Sequence, residues 1–119
     1  MKIAISSTGK DLNAVIDQRF GRTKYFIVYD TEGDNFEVID NVVNLNAVQG
    51  AGIQSAQNVL NTGATVVITG NLGPKAFRVL DCAKVESFLC GAVTVKEAIE
   101  KFKNNELEKL ENANVESHW

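Results

Sequence analysis

Four charged side chains surround a Phe-Gly pair near the N-terminus of this 119-residue chain. The stretch VIDQRFGRTKYF contains Asp17, Arg19, Arg22 and Lys24. Three cations within six residues would attract an anionic ligand, although the whole chain has a formal net charge of -3. The chemistry expected of this stretch is therefore local binding of an anion by an acidic protein.

The segment from Thr8 to Thr23 is predicted to be an irregular connection that holds these charges. Connections of about 16 residues inside a compact domain are often binding loops. In the alternative interpretation, the apolar residues of the loop anchor it on the core and the charges are only solvated. Those apolar residues are Leu12, Val15, Ile16 and Phe20.

Two glycine-rich stretches precede predicted helices and could also favour an anion. Gly70, Asn71 and Gly73 lie in TGNLGP, and Gly50 and Gly52 lie in GAG. Unpaired N-H groups and the positive end of a helix dipole attract negative charge. Tight turns and helix caps explain the same glycines without any ligand.

The elements that must position these residues follow from hydrophobic periodicity. Five strands and three helices are predicted, in the order β-β-β-α-β-α-β-α. The strands span Lys2 to Ser7, Tyr25 to Asp30, Phe36 to Asn41, Ala64 to Thr69 and Val85 to Cys90. The first helix spans Gly50 to Asn61. The second begins at Pro74, and the third begins after a capping box at Thr94 and Glu97. Ile53 and Ala83 are among the residues predicted to face inward.

A meander followed by right-handed crossovers makes the first, fourth and fifth strands parallel. The predicted fold class is α/β, a three-layer ribonuclease-H-like fold with a five-stranded mixed sheet flanked by helices. Ligands bind beyond the carboxyl ends of parallel strands. Ser7, Gly70 and Cys90 should therefore lie along one edge of the sheet.

Composition excludes several classes of function. A pI near 5.1 disfavours a nucleic-acid binder, and the longest apolar runs are too short for a membrane span. The N-terminus MKIAIS is too short for a signal peptide, which predicts a cytoplasmic protein. Two cysteines are too few for a disulfide scaffold. One domain is expected over residues 1–119, with residues 105–119 as a C-terminal tail.

Catalysis is not indicated by the sequence. The first strand and the end of the fourth offer no carboxylates for a two-metal nuclease. A GxSxG elbow is missing as well, and the single histidine, His118, lies in the tail. A binding protein is the expectation.

The sequence resembles the dinitrogenase iron-molybdenum cofactor biosynthesis family, in its NifX and NifB C-terminal type. The resemblance runs from Met1 to about Lys103. It is carried by MKIAISSTGKDLNAVIDQRFGRTKYFIVYD and by NVVNLNAVQGAGIQSAQNVLNTGATVVITGNLGPKAFRVL. The most specific elements are the DQRFGR motif and the Gly50-Ala51-Gly52 helix start.

The resemblance implies a ribonuclease-H-like fold used for binding, without nuclease chemistry. Its cargo would be an anionic iron-sulfur or iron-molybdenum cofactor or a precursor, carried transiently. Its partners would be cofactor-assembly proteins, with no nucleic acid and no membrane. Carriers of the family have His-Phe-Gly where this chain has Arg19-Phe20-Gly21, and that histidine is the suspected cluster ligand. Arginine has no lone pair to offer iron, so Arg19 can only pair with an anionic cofactor.

Cys90 is the candidate metal ligand, because iron-sulfur clusters are usually held by cysteine. Cys82 is predicted to be a small buried packing residue in a helix. Two alternatives remain open: a small-molecule or phosphate-binding regulatory module, and a protein-interaction domain using the loop and a tail that ends in Trp119. The predicted cofactor-binding residues are Ser7, Arg19, Phe20, Gly21, Arg22, Gly50, Gly52, Gly70, Asn71 and Gly73.

Overall fold

Three strands come first, and helices and strands then alternate, as the hydrophobic pattern predicts. The computed structural model describes residues 1–45, 47 and 49–116. Its strands are β1 (Lys2–Ser7), β2 (Tyr25–Asp30), β3 (Asn35–Asp40), β4 (Val66–Thr69), β5 (Glu86–Leu89) and β6 (Glu108–Lys109). Its helices are α1 (Ala51–Leu60), α2 (Pro74–Cys82) and α3 (Val95–Lys103), with a short 3-10 helix at Val42–Asn44.

The strands form one mixed sheet in the order β3-β2-β1-β4-β5-β6. β1 runs antiparallel to β2 and parallel to β4, and β5 runs parallel to β4. This part of the predicted topology is confirmed.

The predicted number of strands is wrong, because the sheet has six strands and not five. The sixth, β6, comes from the predicted tail and pairs with Phe88 and Leu89 of β5. Burial of Leu110 next to β6 favours this pairing, which two strand residues could not maintain alone. The ribonuclease-H-like label stays a prediction.

Helices cover both faces of the sheet. On one face, Ala56 of α1 and Leu80 of α2 pack against a cluster that includes Phe26 and Val67. On the other face, α3 packs on a second cluster centred on the isoleucines of β1 and β4. The continuous apolar strands β1 and β4 are explained by this burial on both faces.

The helices begin where the sequence predicts. Pro74 is the first residue of α2, and Thr94 and Glu97 form the capping box of α3. Two inward-facing predictions are wrong, because Ile53 is 37% exposed and Ala83 is exposed. The buried face of α1 carries Ser55, Ala56 and Val59 and leaves Ile53 at its margin, and Ala83 lies beyond the end of α2. Within the described ranges, no helix is long and apolar enough to cross a membrane.

Candidate functional site

The carboxyl ends of β1, β4 and β5 lie at one edge of the sheet, because these strands are parallel. Helix α2 begins near this edge, because only residues 70–73 separate it from the end of β4. The first turn of α1 lies beside that of α2, since a Cβ added to Gly52 would be 3.4 Å from Ala76 Cβ. The 8–23 loop crosses the same edge and forms single β-bridges at Ile16 and Arg19. We call the resulting surface the carboxyl edge.

Hydrogen bonds from β1 and β4 hold the 8–23 loop in place. Ser6 Oγ, which is fully buried, lies 2.7 Å from the Asp17 carbonyl oxygen and 2.8 Å from Thr69 Oγ1. The Asp17 N-H donates to the Ser6 carbonyl at 2.9 Å. The loop is therefore tied to the sheet just before its charged motif begins.

Apolar anchors fix the loop on both sides of that motif. Phe20 is fully buried, with its ring centroid 5.1 Å from that of Phe26. Ile16 is buried in the opposite core cluster, whereas Val15 is 44% exposed. Phe20, a predicted site residue, thus anchors the loop from inside the core.

Asp17 organises the turn that carries Arg19. Its Oδ1 accepts the Arg19 backbone N-H at 3.0 Å and lies 3.5 Å from Arg19 Nε. The Asp17 side chain is 8% exposed, whereas that of Arg19 is 43% exposed. The Arg19 side chain is therefore partly exposed at the surface, and Asp17 holds the Arg19 backbone in place.

Arg22 has a different environment from Arg19. Its Nη1 donates to the backbone carbonyls of Ala47 at 2.7 Å and Leu45 at 3.4 Å. These bonds tie the 8–23 loop to the segment that leads into α1. Arg22 brings positive charge to the carboxyl edge and also holds two loops together.

A buried polar network lies beneath the two loops. Ser55 Oγ of α1 donates to the Gly21 carbonyl at 2.8 Å and accepts from Asn41 Nδ2 at 3.0 Å. Asn41 is fully buried, and its Oδ1 accepts from Asn44 and Asn58 at 2.9 and 2.8 Å. Sequence reasoning missed this network, because Asn and Ser in loops are ordinary turn residues.

The first turns of α1 and α2 lie side by side. A Cβ added to Gly52 would lie 3.4 Å from Ala76 Cβ, within van der Waals contact, which shows how closely the two helices approach. The N-cap residues are Gly50, with a left-handed φ of 79°, and Gly73. Neither glycine can cap its helix with a side chain, and neither first turn contains an acid. The N-terminal N-H groups of two helices, which have no acceptor within their own helix, are thus close together.

Gly70 allows the loop to approach β4 closely. A Cβ at Gly70 would lie 2.9 Å from Gln18 Cα and still closer to the Gln18 amide, so a side chain there would displace the loop. The next residue, Asn71, donates from Nδ2 to the Gln18 carbonyl at 2.9 Å. Its own carbonyl accepts the Phe20 N-H at 3.2 Å. Gln18 is a contact that the sequence analysis did not identify.

Ser7 faces inward at the edge. It is fully buried, its Oγ donates to the Gly9 carbonyl at 2.8 Å, and its N-H donates to Thr23 Oγ1 at 3.1 Å. The structure places Ser7 as a support of the loop ends.

Cys90 lines a cavity at the carboxyl edge together with Gln18 and Gly70, whereas Cys82 is the last residue of α2. Cys90 is 7% exposed, and burial raises the pKa of its thiol, against the opposing effect of Lys101. The prediction that Cys82 is buried is wrong: it is exposed, since α2 buries the face that carries Ala76 and Leu80.

Protein ligands for a metal are scarce at this edge. Among residues 1–45, 47 and 49–116, no group of three or more His, Cys, Asp or Glu side chains could hold a metal ion. His118, the single histidine, and Trp119, the end of the predicted tail, lie outside the described residues. What the described residues offer an anion is cationic charge and N-H groups.

Known proteins with similar sequences and structures cover nearly the whole chain. The apo form of the orange protein from Desulfovibrio gigas is 33% identical, with a TM-score of 0.92 and 96% of each chain covered. A Thermotoga protein named for NifB and assigned to the DUF35 family is 37% identical, with a TM-score of 0.85 and 97% of each chain covered. An uncharacterized protein of Methanocaldococcus jannaschii is 31% identical over 114 residues, which are 93% of this chain and 92% of that protein.

The family model described as "Dinitrogenase iron-molybdenum cofactor" matches residues 1–105. This range contains the DQRFGR loop, both glycine helix starts and all three parallel strands. The resemblance first identified from those motifs is confirmed. The chain belongs to the dinitrogenase iron-molybdenum cofactor family.

Proposed function

We propose that the protein binds an anionic iron-sulfur or iron-molybdenum cofactor, or a precursor of one, at the carboxyl edge. The cofactor is cargo that is carried and released, and the protein performs no chemistry on it. One observation carries this proposal: the first turns of α1 and α2 lie together, without side-chain caps, at the edge that also carries Arg19. Membership of the family supports a metal-sulfur cofactor as the anion.

The electrostatics of the edge favour a multiply charged anion. Each helix N-terminus is equivalent to roughly half a positive charge, and its free N-H groups donate to a bound anion. Arg19 adds a positive charge on a side chain that is partly exposed, although Asp17 Oδ1 lies 3.5 Å from its Nε and offsets part of that charge. Because the protein as a whole is acidic, with a net charge of -3, attraction of an anion is local to this edge.

Binding through charge and hydrogen bonds agrees with the available donors. Cys90 is buried, and its raised pKa keeps the thiol protonated at neutral pH, which disfavours it as a cluster ligand. Arg19 stands where related carriers have histidine, and its guanidinium donates hydrogen bonds but has no lone pair for iron. A cargo held without protein-metal bonds would also be easy to pass on.

Transfer of the cargo requires partners. Arg19 reaches the surface with 43% of its side chain exposed, so an anion there would be accessible to a second protein. We propose that cofactor-assembly proteins load and unload the cargo at this edge.

The test is anaerobic titration of the reduced protein with an isolated iron-sulfur cofactor precursor, followed by visible absorption and gel filtration. Tetrathiomolybdate serves as a simple anionic metal-sulfur probe in parallel. Arg19→Ala should weaken binding at least about tenfold, since a hydrogen bond to a charged group contributes about 1.5 to 3 kcal/mol. Arg78→Ala is the matched control, because Arg78 is an exposed arginine further along α2 and its loss changes net charge equally.

Equal affinities of the Arg19 and Arg78 variants would refute binding at this edge. Absence of co-elution with the wild-type protein at micromolar concentration would refute the carrier function itself. Inorganic phosphate is included as a competitor. If phosphate alone raises the melting temperature and no metal-sulfur anion binds, the phosphate-binding regulatory module replaces the carrier proposal.

A further inference from the structure

The segment after β6 returns to the carboxyl edge. We call residues 110–116 the C-terminal strap. They lie beyond the range 1–105 that the family model matches. Leu110 anchors the strap: it is 7% exposed, and its N-H donates to the Ser87 carbonyl of β5 at 2.8 Å. From that anchor the strap runs to the loop between β4 and α2.

Asn114 joins the strap to that loop through both its backbone and its side chain. Its Oδ1 accepts the Leu72 N-H at 2.7 Å, and its own N-H donates to the Leu72 carbonyl at 3.1 Å. Its Nδ2 lies 3.3 Å from both the Gly70 carbonyl and Asn71 Oδ1. One exposed residue thus contacts three consecutive residues of the edge.

The residues that Asn114 contacts are those that place the charged groups. Asn71 bonds to the Gln18 carbonyl and the Phe20 N-H, on either side of Arg19. Leu72 directly precedes Gly73, the N-cap of α2. A change in the position of Asn71 or Leu72 would therefore move Arg19 and the α2 N-terminus relative to each other.

We propose that Asn114 is a positioning residue for the anion site. By fixing the loop 70–72, the strap keeps the Arg19 turn and the start of α2 in the relative positions at which both can bind one ligand. The effect on ligand affinity rests on the function proposed above, whereas the effect on loop order does not. Because Asn114 is exposed, its bonds to the loop can open while Leu110 stays buried in the core, so the position of the loop is adjustable.

The first experiment measures amide hydrogen exchange of the whole protein by NMR, without any ligand. Asn114→Ala removes every side-chain bond of Asn114. Asn114→Asp keeps the acceptor for the Leu72 N-H and loses the donors. Asn112→Ala is the control, since Asn112 is an exposed asparagine of the same strap whose side chain makes no hydrogen bond among the described residues.

Exchange at Leu72 should rise in Asn114→Ala and stay slow in Asn114→Asp. Exchange at Phe20, whose N-H bonds to Asn71, should rise by about twofold to tenfold in both variants. The Asn112 variant should match the wild type at both amides. Unchanged Phe20 exchange in both Asn114 variants would overturn the proposal, because the strap would then hold Leu72 without reaching the Arg19 turn.

The second experiment measures the affinity of the same variants for tetrathiomolybdate. Asn114→Ala should weaken binding about threefold to tenfold, and Asn114→Asp should weaken it more, because the carboxylate adds negative charge at the edge. Unchanged affinity in both would refute the role in binding. If the wild type binds no anion, the carrier function fails, and Phe20 exchange still decides whether Asn114 positions the loop.

Discussion

Substitution of Gly70 by alanine should separate the Arg19 turn from β4. The added Cβ would lie 2.9 Å from Gln18 Cα, where ordinary carbon contacts begin near 3.4 Å. The Gln18 amide can rotate away, but its backbone must move by about half an ångström. That movement strains the 2.9 Å bond from Asn71 Nδ2 to the Gln18 carbonyl.

The expected cost is that of inserting a methyl group into a packed site, about 1 to 3 kcal/mol. An unfolding entropy of about 2.1 cal/mol/K per residue gives about 250 cal/mol/K for 119 residues. Each kcal/mol then lowers Tm by about 4 °C, so Gly70→Ala should lower Tm by about 4 to 12 °C. Binding of a metal-sulfur anion should weaken as well, because Arg19 lies next to the displaced residue.

Thermal unfolding followed by circular dichroism measures the effect, with Gly91→Ala as the matched control. Gly91 follows β5 much as Gly70 follows β4, but a Cβ there would have no neighbour within 4 Å. Its substitution should change stability by no more than about 0.5 kcal/mol. If both variants melt within about 2 °C of each other, the close approach of Gln18 to Gly70 does not exist in solution.

Two further experiments test the buried hydrogen-bond network of Asn41 and the protonation of the Cys90 thiol. Asn41→Ala should destabilise the fold by at least about 2 kcal/mol in urea titrations, because it leaves buried partners unpaired, including the Thr23 carbonyl. Asn112→Ala is the exposed control, and an equal midpoint for the two would refute the network. For Cys90, burial raises the pKa of the folded thiol above its ordinary value of 9.0. The contribution of that thiol to stability is therefore full below pH 9.0, and it is lost as pH rises from 9.0 through the raised pKa of the folded protein. Wild type should lose more stability than Cys90→Ala between pH 8 and pH 10, and parallel losses would contradict this assignment.

The sequence by itself determined β1 to β5, the helices α1 to α3 and the family, but not β6. Apolar runs predicted β1 and β4 as buried strands, and Pro74 and the Thr94 capping box predicted two helix starts. These signals are local, so neighbouring residues are enough to specify them. The sequence also determined which residues reach the carboxyl edge, because the ends of parallel strands must meet there.

Only the tertiary structure decided what each of those residues does. Arg19 and Arg22 look alike in sequence, yet Arg22 bonds to the carbonyls of Leu45 and Ala47, whereas Arg19 is partly exposed. Cys82 was expected to be buried, yet it is exposed, because α2 turns the face that carries Ala76 and Leu80 to the core.

The contacts that complete the edge join residues far apart in the chain. Gly70 meets Gln18, Asn114 meets Leu72, and Gly52 meets Ala76. Glycine and asparagine in loops are equally suited to ordinary turns, so their residue types give no signal of these partners. These contacts form only when strand order and helix packing bring distant residues together. For that physical reason the sequence predicted which strand ends form the edge, but not the hydrogen bonds and close contacts between the residues there.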